Sequence, residues 1–378
     1  MPPTESTSTF PRRIYVVAGM HRAGTSVVAR ALQALGIDLG PRLMSADIRM
    51  NARGFFEDLD LVRINDALLA ACNADWKNSA LLDDVDWRRA EFDWLTADAR
   101  TFLVSRLEAC GVFGCKDPRI PRLLPFWQAQ CAREQIVDHY VVAVRHPLSV
   151  MASLTTRDGL DVRRSGWLWL THLVCAMHYT AGRPRVVVDY DRMLAAPNVE
   201  LDRMRAALAI PRAADTNGAI DAFVGDFLAP ELRHAEHTAA DLATSGLPAA
   251  VIDAWQLANG AARDEIAPAE VQARFHALFH ELCRVSPLLG YAGHVERQAD
   301  DVPRLQGELA WATSSLDEAT AFAESMRVPL AEAVTYADDL ELTVQRKDED
   351  LRKMQQVLDQ VRERVLGRMV LREIQRRR

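Results

Sequence analysis

The chain has 378 residues, enough to bury a large core, and is 49% hydrophobic and 26% charged, the balance of a soluble globular protein. Its net charge of -7 excludes a polycationic surface spread over the whole molecule, so nucleic acid is not an expected partner and any anion site must be local. The six cysteines form no C-x-x-C pair, which argues against a zinc site or a disulfide framework and for reduced thiols in a cytoplasmic protein.

Met1 to Arg13 is rich in Pro, Ser and Thr and has no apolar segment behind a basic start, so residues 1–13 are expected to be a disordered tail and not a signal peptide. No apolar run approaches the ~20 residues that span a bilayer. Ile14 to Ala18 is a short β-branched run suited to a strand covered on both faces. Gly19 to Ser26 follows, with the spacing of a phosphate-binding loop, G-x-x-x-x-G-K-[ST]. Thr25 stands where that motif has its lysine, and the cation, Arg22, lies three residues upstream. A helix is predicted from Thr25 to Leu35, closed by Gly36. Its N-terminus and the loop amides would converge on an anion.

Helical spacing recurs over Leu59–Cys72 and over Trp87–Ala109. A short strand, Gly111 to Cys115, runs into Lys116-Asp117-Pro118-Arg119, and a helix is predicted over Leu123–Arg133. His139 to Arg145 reads as the strongest strand, and Pro147 opens the next helix at a position where proline is tolerated. A helix over Arg163–Ala181, a strand over Arg185–Tyr190 and helices from Val199 to Arg284 complete the first part. Strands alternating with helices predict an α/β fold, a parallel sheet with helices on both faces. Ligands then sit beyond the C-terminal strand ends, where the loops Gly19–Ser26, Lys116–Arg119 and Arg145–Ser153 all fall.

The segment from about Asp301 changes character. From Leu305 to Val365 apolar residues, with Lys347 at one position, recur at alternating intervals of four and three, a heptad seam of more than eight heptads. The domains are accordingly expected at 14–298 and 301–378, the second a coiled coil or amphipathic helix through which the chain could form a homo-oligomer, with partner helix and oligomer number not readable from the seam. Pro329 should kink or interrupt it near Arg327. Residues 361–378 hold seven Arg and two Glu, a composition suited to a membrane surface, an acidic partner or a solvated helix end.

With these motifs assembled, residues Arg13 to about His234 resemble the bacterial type of sulfotransferase that uses 3′-phosphoadenosine-5′-phosphosulfate (PAPS), a P-loop-NTPase-like fold. Gly19-Met-His-Arg22-Ala-Gly24-Thr25-Ser26 is similar to that family's 5′-phosphosulfate loop, and Arg145-His-Pro with Ser153 to its 3′-phosphate element. Gly54-Phe-Phe-Glu57-Asp58 is similar to an acidic motif of the bacterial members, and Lys116-Asp117-Pro118-Arg119 is the fourth element. The resemblance implies that His21, Arg22, Ala23, Gly24, Thr25, Ser26, Arg145 and Ser153 bind PAPS, with no metal required. It implies that the acceptor is a hydroxyl or amine, on a carbohydrate or glycolipid. It places the catalytic base at Glu57, whose carboxyl would be raised in pKa beside Phe55 and Phe56.

Asp117 is the rival base, and His21 could contact the acceptor. Arg22 would stabilise charge on the leaving group, and Lys116 would donate to the transferring sulfuryl group. The plainer alternatives have Glu57 capping a helix or pairing with Arg53, Lys116 pairing with Asp117, and Arg119 beginning a helix. Arg157 could add to the 3′-phosphate site, and Arg233-His234 could belong to a closing loop. Trp127, Trp167 and Trp169 are expected in the core. Two other classes of function compete, a P-loop kinase or NTPase and a non-catalytic nucleotide-binding scaffold.

Overall fold

The computed structural model describes residues 12–45, 54–212, 216–228 and 237–376, with side chains to residue 360. Arg53 and Arg233-His234 therefore lie outside the described residues, as do the tail to residue 11 and the side chains of the basic C-terminus. In chain order the elements are β1 (Arg13–Ala18), α1 (Thr25–Ala34), α2 (Leu59–Ala71), α3 (Asp93–Cys110), β2 (Val112–Lys116), α4 (Ile120–Arg133) and β3 (Val137–Val144). They continue with α5 (Pro147–Asp158), α6 (Val162–Tyr179), β4 (Arg185–Asp189), α7 (Tyr190–Ala195), α8 (Pro197–Ala207), α9 (Asn217–Ala222), α10 (Ala239–Thr244), α11 (Ala249–Ala262) and α12 (Pro268–Arg376).

The four strands form one parallel sheet in the order β2-β1-β3-β4. Successive strand residues point to opposite faces. Tyr15 and Val17 of β1 join a core with residues of α1 and α8, and Ile14 and Val16 join one with residues of α3 and α4. Ala18 enters a third cluster built largely on α6 and α11. Both faces of the sheet are thereby covered, which is why its strands read as continuous apolar runs.

Several boundaries differ from the sequence reading, each for a local reason. The helix expected from Trp87 begins at Asp93, after a 3-10 turn over Ala90–Phe92, and Trp87 packs its ring on Phe92 and Phe126. The helix expected from Leu123 begins three residues earlier. The Asp117 carboxylate accepts the Arg119 N–H at 2.8 Å and starts the turn, and Pro121 sits in the first turn, where it removes no helical hydrogen bond. Helix α2 is capped by Asp58, whose carboxylate accepts the Asp60 N–H at 2.9 Å, so Glu57 is not its cap. Trp127 and Trp169 lie in the core, the former donating to Asn65 at 2.8 Å, and Trp167 packs against it.

The chain divides into two units, 1–297 and 298–378. In the first, the opening turns of α12 bury Val271, Phe275, Phe279 and Leu282 in the core. The second is a single helix on which the apolar seam, including Leu309, Leu316, Leu330, Leu351 and Leu358, is exposed. That helix runs through Pro329 without the expected interruption. Proline removes one N–H bond and crowds one carbonyl, and on an exposed helix the stranded carbonyl is open to water. No helix among the described residues is long and apolar enough to cross a membrane.

Candidate active site

The strand order reverses at β1. The chain leaves β1 for β2 on one side and returns for β3 on the other, so β1 and β3 are neighbours. Such a switch point opens a crevice beyond the C-terminal strand ends. Arg145, which follows β3 and comes two strands later in the sequence than the glycine loop, is thus one strand away in space.

The loop after β1 is shaped by close backbone approach. A Cβ on Gly19 would stand 2.7 Å from the Ala143 carbonyl oxygen on β3. Gly24 has φ +85°, and a Cβ there would lie 2.4 Å from the Tyr190 ring. Arg22 also holds a left-handed φ, 68°, a conformation that costs a non-glycine residue about 1 kcal/mol or more and recurs at functional loops. These turns carry the chain into α1, whose first N–H groups have no carbonyl partner within the helix. Ala23 and Thr25 are buried.

Arg22 reaches across the crevice, its Nε donating to Ser153 Oγ of α5 at 2.7 Å. Arg145 donates from Nη1 to the Arg22 carbonyl at 3.4 Å, and its guanidinium lies over the Tyr190 ring at 4.3 Å. Its Nε is buried and has no hydrogen-bond partner. Arg157 lies over Trp76 at 5.6 Å and donates to Asp158 at 2.7 Å. Burial holds the Arg22 pKa below its ordinary value, and the nearby charges of Arg157 and Arg145 lower it further. Three arginines thus converge on one crevice, where an anion would relieve their mutual repulsion.

A second cluster fills the β2 side. Lys116, at the end of β2, donates to Glu57 Oε1 at 2.5 Å and to the Phe55 carbonyl at 3.0 Å. Ser26 Oγ donates to the same carbonyl at 3.3 Å, which ties the acidic motif to the first turn of α1. Glu57 is 5% exposed and Lys116 2%. Burial raises the Glu57 pKa and Asp117 adds to the rise, while Lys116 and Arg119 oppose it. Lys116 therefore pairs with Glu57 and not with Asp117. The Asp117 carboxylate, fully buried, holds Arg119 through both oxygens at 3.0 and 3.1 Å, and Arg119 also reaches Asp66 at 2.6 Å.

His21 stands between the two clusters. Its ring lies 4.6 Å from that of Trp76, and its Nε2 is buried without a hydrogen-bond partner. Burial, then the charges of Arg119, Arg157 and Lys116, push its pKa well below 6.5, so it is neutral at physiological pH. The His21 and Arg145 nitrogens without partners, the N-terminus of α1 and the arginines fit a group rich in anionic oxygens.

The structure therefore brings His21, Arg22, Gly24, Ser26, Arg145 and Ser153 to one crevice, with Glu57 and Lys116 tied to its edge through Phe55. The sequence reading missed Tyr190 and Trp76. Tyr190 follows directly on β4, so the rule that marked the other loops also reached it. Trp76 carried no signal, because it lies in a loop that only the fold brings to His21. Among the described residues no three His, Cys, Asp or Glu side chains form a cluster able to hold a metal ion.

No protein-family model matches the chain, and no curated protein matches it. Solved structures similar to it include two sulfotransferase domains. One, from the curacin biosynthetic pathway, is 13% identical and covers 56% of this chain and 78% of its own, with a TM-score of 0.34. The other, from the Synechococcus PCC 7002 olefin synthase, is 16% identical and covers 65% of this chain and 94% of its own, with a TM-score of 0.39. The roles of the side chains rest on their own geometry.

Proposed function

We propose that the chain transfers a sulfuryl group from PAPS to a hydroxyl or amine acceptor of carbohydrate or glycolipid type. The observation that carries this reading is the 2.7 Å bond from Arg22 to Ser153, with Arg145 on the Arg22 carbonyl. It joins the glycine loop and the second anion element into one site at the β1/β3 crevice. A ligand with an anionic group at each end of a nucleoside suits that arrangement. The loop amides, Thr25 and Ser26 take the 5′ end, and Arg145 with Ser153 takes the 3′-phosphate. Thr25 in place of the lysine supports a ligand other than a nucleoside triphosphate.

In the transfer, the acceptor oxygen or nitrogen forms a bond to sulfur as the bond from sulfur to the bridging oxygen of the 5′-phosphate breaks. The electron pair leaves on that oxygen, where Arg22 stabilises it, and the acceptor proton passes to Glu57. Lys116 keeps the buried Glu57 ionised, and burial makes that carboxylate a stronger base than one in water. Positioning and charge stabilisation carry the remainder, as in phosphoryl transfer.

Calorimetry tests the nucleotide reading. 3′,5′-ADP should bind about 10- to 100-fold more tightly than 5′-AMP, the worth of charge-assisted bonds to one phosphate, and without dependence on Mg²⁺. Arg145→Gln should erase that preference. Equal binding of the two nucleotides by the unaltered protein, or tighter binding of ATP, would refute the assignment.

The exposed heptad seam of residues 298–360 supports a second proposal, self-association with another copy of the chain. Deleting residues 301–378 should reduce the number of chains per particle measured by light scattering and leave 3′,5′-ADP binding intact. An unchanged number of chains per particle rules out pairing through the seam.

A further inference from the structure

A cleft of about 630 Å³ lies beside the edge strand β4, with Arg183, Arg185 and Arg203 in its lining. It sits at the N-terminal end of β4, whereas Tyr190 and the nucleotide crevice lie beyond the C-terminal end, ~13 Å away along the strand. Its size falls within the range of small-molecule sites.

The three arginines differ in how their charge is answered. Arg183 is paired with Asp138 through both carboxylate oxygens. Arg203 holds Glu200 at 2.7 Å and both oxygens of Asp264 at 2.9 Å, and so occupies the acidic side chain that also lines the cleft. Arg185 meets no carboxylate among the described residues. Its Nη1 donates to the Met177 carbonyl at 2.5 Å and to Thr180 Oγ1 at 3.1 Å, both neutral acceptors, and no described residue offers an acceptor to its other nitrogens. Burial lowers its pKa with no opposing charge. One nitrogen thus rests on the C-terminal turn of α6, and the rest of the half-buried guanidinium is left with donors suited to an anion.

Two further features fit an anion with an apolar body. Helix α12 begins at Pro268 on the cleft wall and adds the partial positive charge of its N-terminus. Ala207, Ala261, Ile266 and Val271 supply an apolar wall. We infer that this cleft binds a small organic anion, its carboxylate or phosphate-monoester head forked on Arg185 and its apolar body laid along Ala207 and Ile266. The guanidinium, anchored by one nitrogen, keeps a planar pair of donors for two oxygens.

Calorimetry on the full chain with hexyl phosphate, hexanoate, hexanol and inorganic phosphate tests this inference, which does not depend on the sulfotransferase reading. Hexyl phosphate or hexanoate should bind, and hexanol and inorganic phosphate should each bind at least about tenfold more weakly, because each lacks half of the recognition. Saturating 3′,5′-ADP should leave that binding unchanged. Arg185→Gln should weaken it by about tenfold or more while 3′,5′-ADP binds as before. Should that variant fail to fold by circular dichroism, Ala207→Leu, on the exposed wall, must weaken hexyl phosphate instead. Absence of binding by both organic anions, competition with 3′,5′-ADP, or full binding by the Arg185 and Ala207 variants would overturn the inference.

Discussion

Glu57→Gln should lower sulfuryl transfer by about 10³-fold and leave 3′,5′-ADP affinity unchanged, within the range for loss of a general base. The geometry separates the two effects, because Glu57 meets Lys116 at 2.5 Å, whereas Arg22 and Arg145 meet Ser153 and the Arg22 carbonyl in the β1/β3 crevice. The pH profile supplies the second readout. A base acts only when ionised, so transfer should fall as pH drops through the Glu57 pKa. Burial raises that pKa above the ordinary 4.5, so the loss begins at a higher pH than for a carboxylate in water. The acidic limb should vanish in Glu57→Gln. If it persists and turnover is retained, the base is Asp117, whose buried carboxylate holds Arg119, or His21, whose buried Nε2 lacks a partner. Because the substitution removes one charge of a buried pair, a stability loss of about 3–5 kcal/mol is also expected, and turnover must be measured where the variant is folded.

The second large effect lies at Gly24. Gly24→Ala should weaken 3′,5′-ADP binding by about two orders of magnitude. Two costs combine there. A left-handed φ of +85° strains any residue with a Cβ, and that Cβ would stand 2.4 Å from the Tyr190 ring. Tyr190 cannot yield without consequence, because Arg145 lies over the same ring at 4.3 Å. One methyl group therefore disturbs both anion elements. Gly246→Ala is the control. Its φ is +70° but nothing lies within 4 Å of the new Cβ, so it should cost stability and spare binding. Binding by Gly24→Ala as tight as by the unaltered chain would show that Tyr190 does not shape the site.

The sequence by itself determined the order of strands and helices and the sheet edge at which the candidate loops emerge. Ile14 to Ala18 and His139 to Val144 read as strands because both faces of a parallel sheet are buried and such strands carry no polar alternation. Gly19, Gly24 and Arg145 were legible because loops after parallel strands all emerge at one edge. The heptad seam was legible because its period is local. The boundary at Leu123 was less legible, because the turn that starts that helix depends on the Asp117 carboxylate. Only the tertiary structure decided which side chains meet. The spacing between Arg22 and Ser153, 131 residues, carries no sign of their bond, which follows from β3 lying beside β1. Lys116 stood next to Asp117 in the sequence and could have paired with it. Alternate residues of a strand face opposite ways, and the turn after β2 carries Asp117 toward Arg119, so Lys116 meets Glu57 instead. Trp76 and Arg185 show the same limit. A ring against His21 and a cation without a carboxylate are properties of neighbours brought together by the sheet and its helices, and no local pattern of residues encodes them.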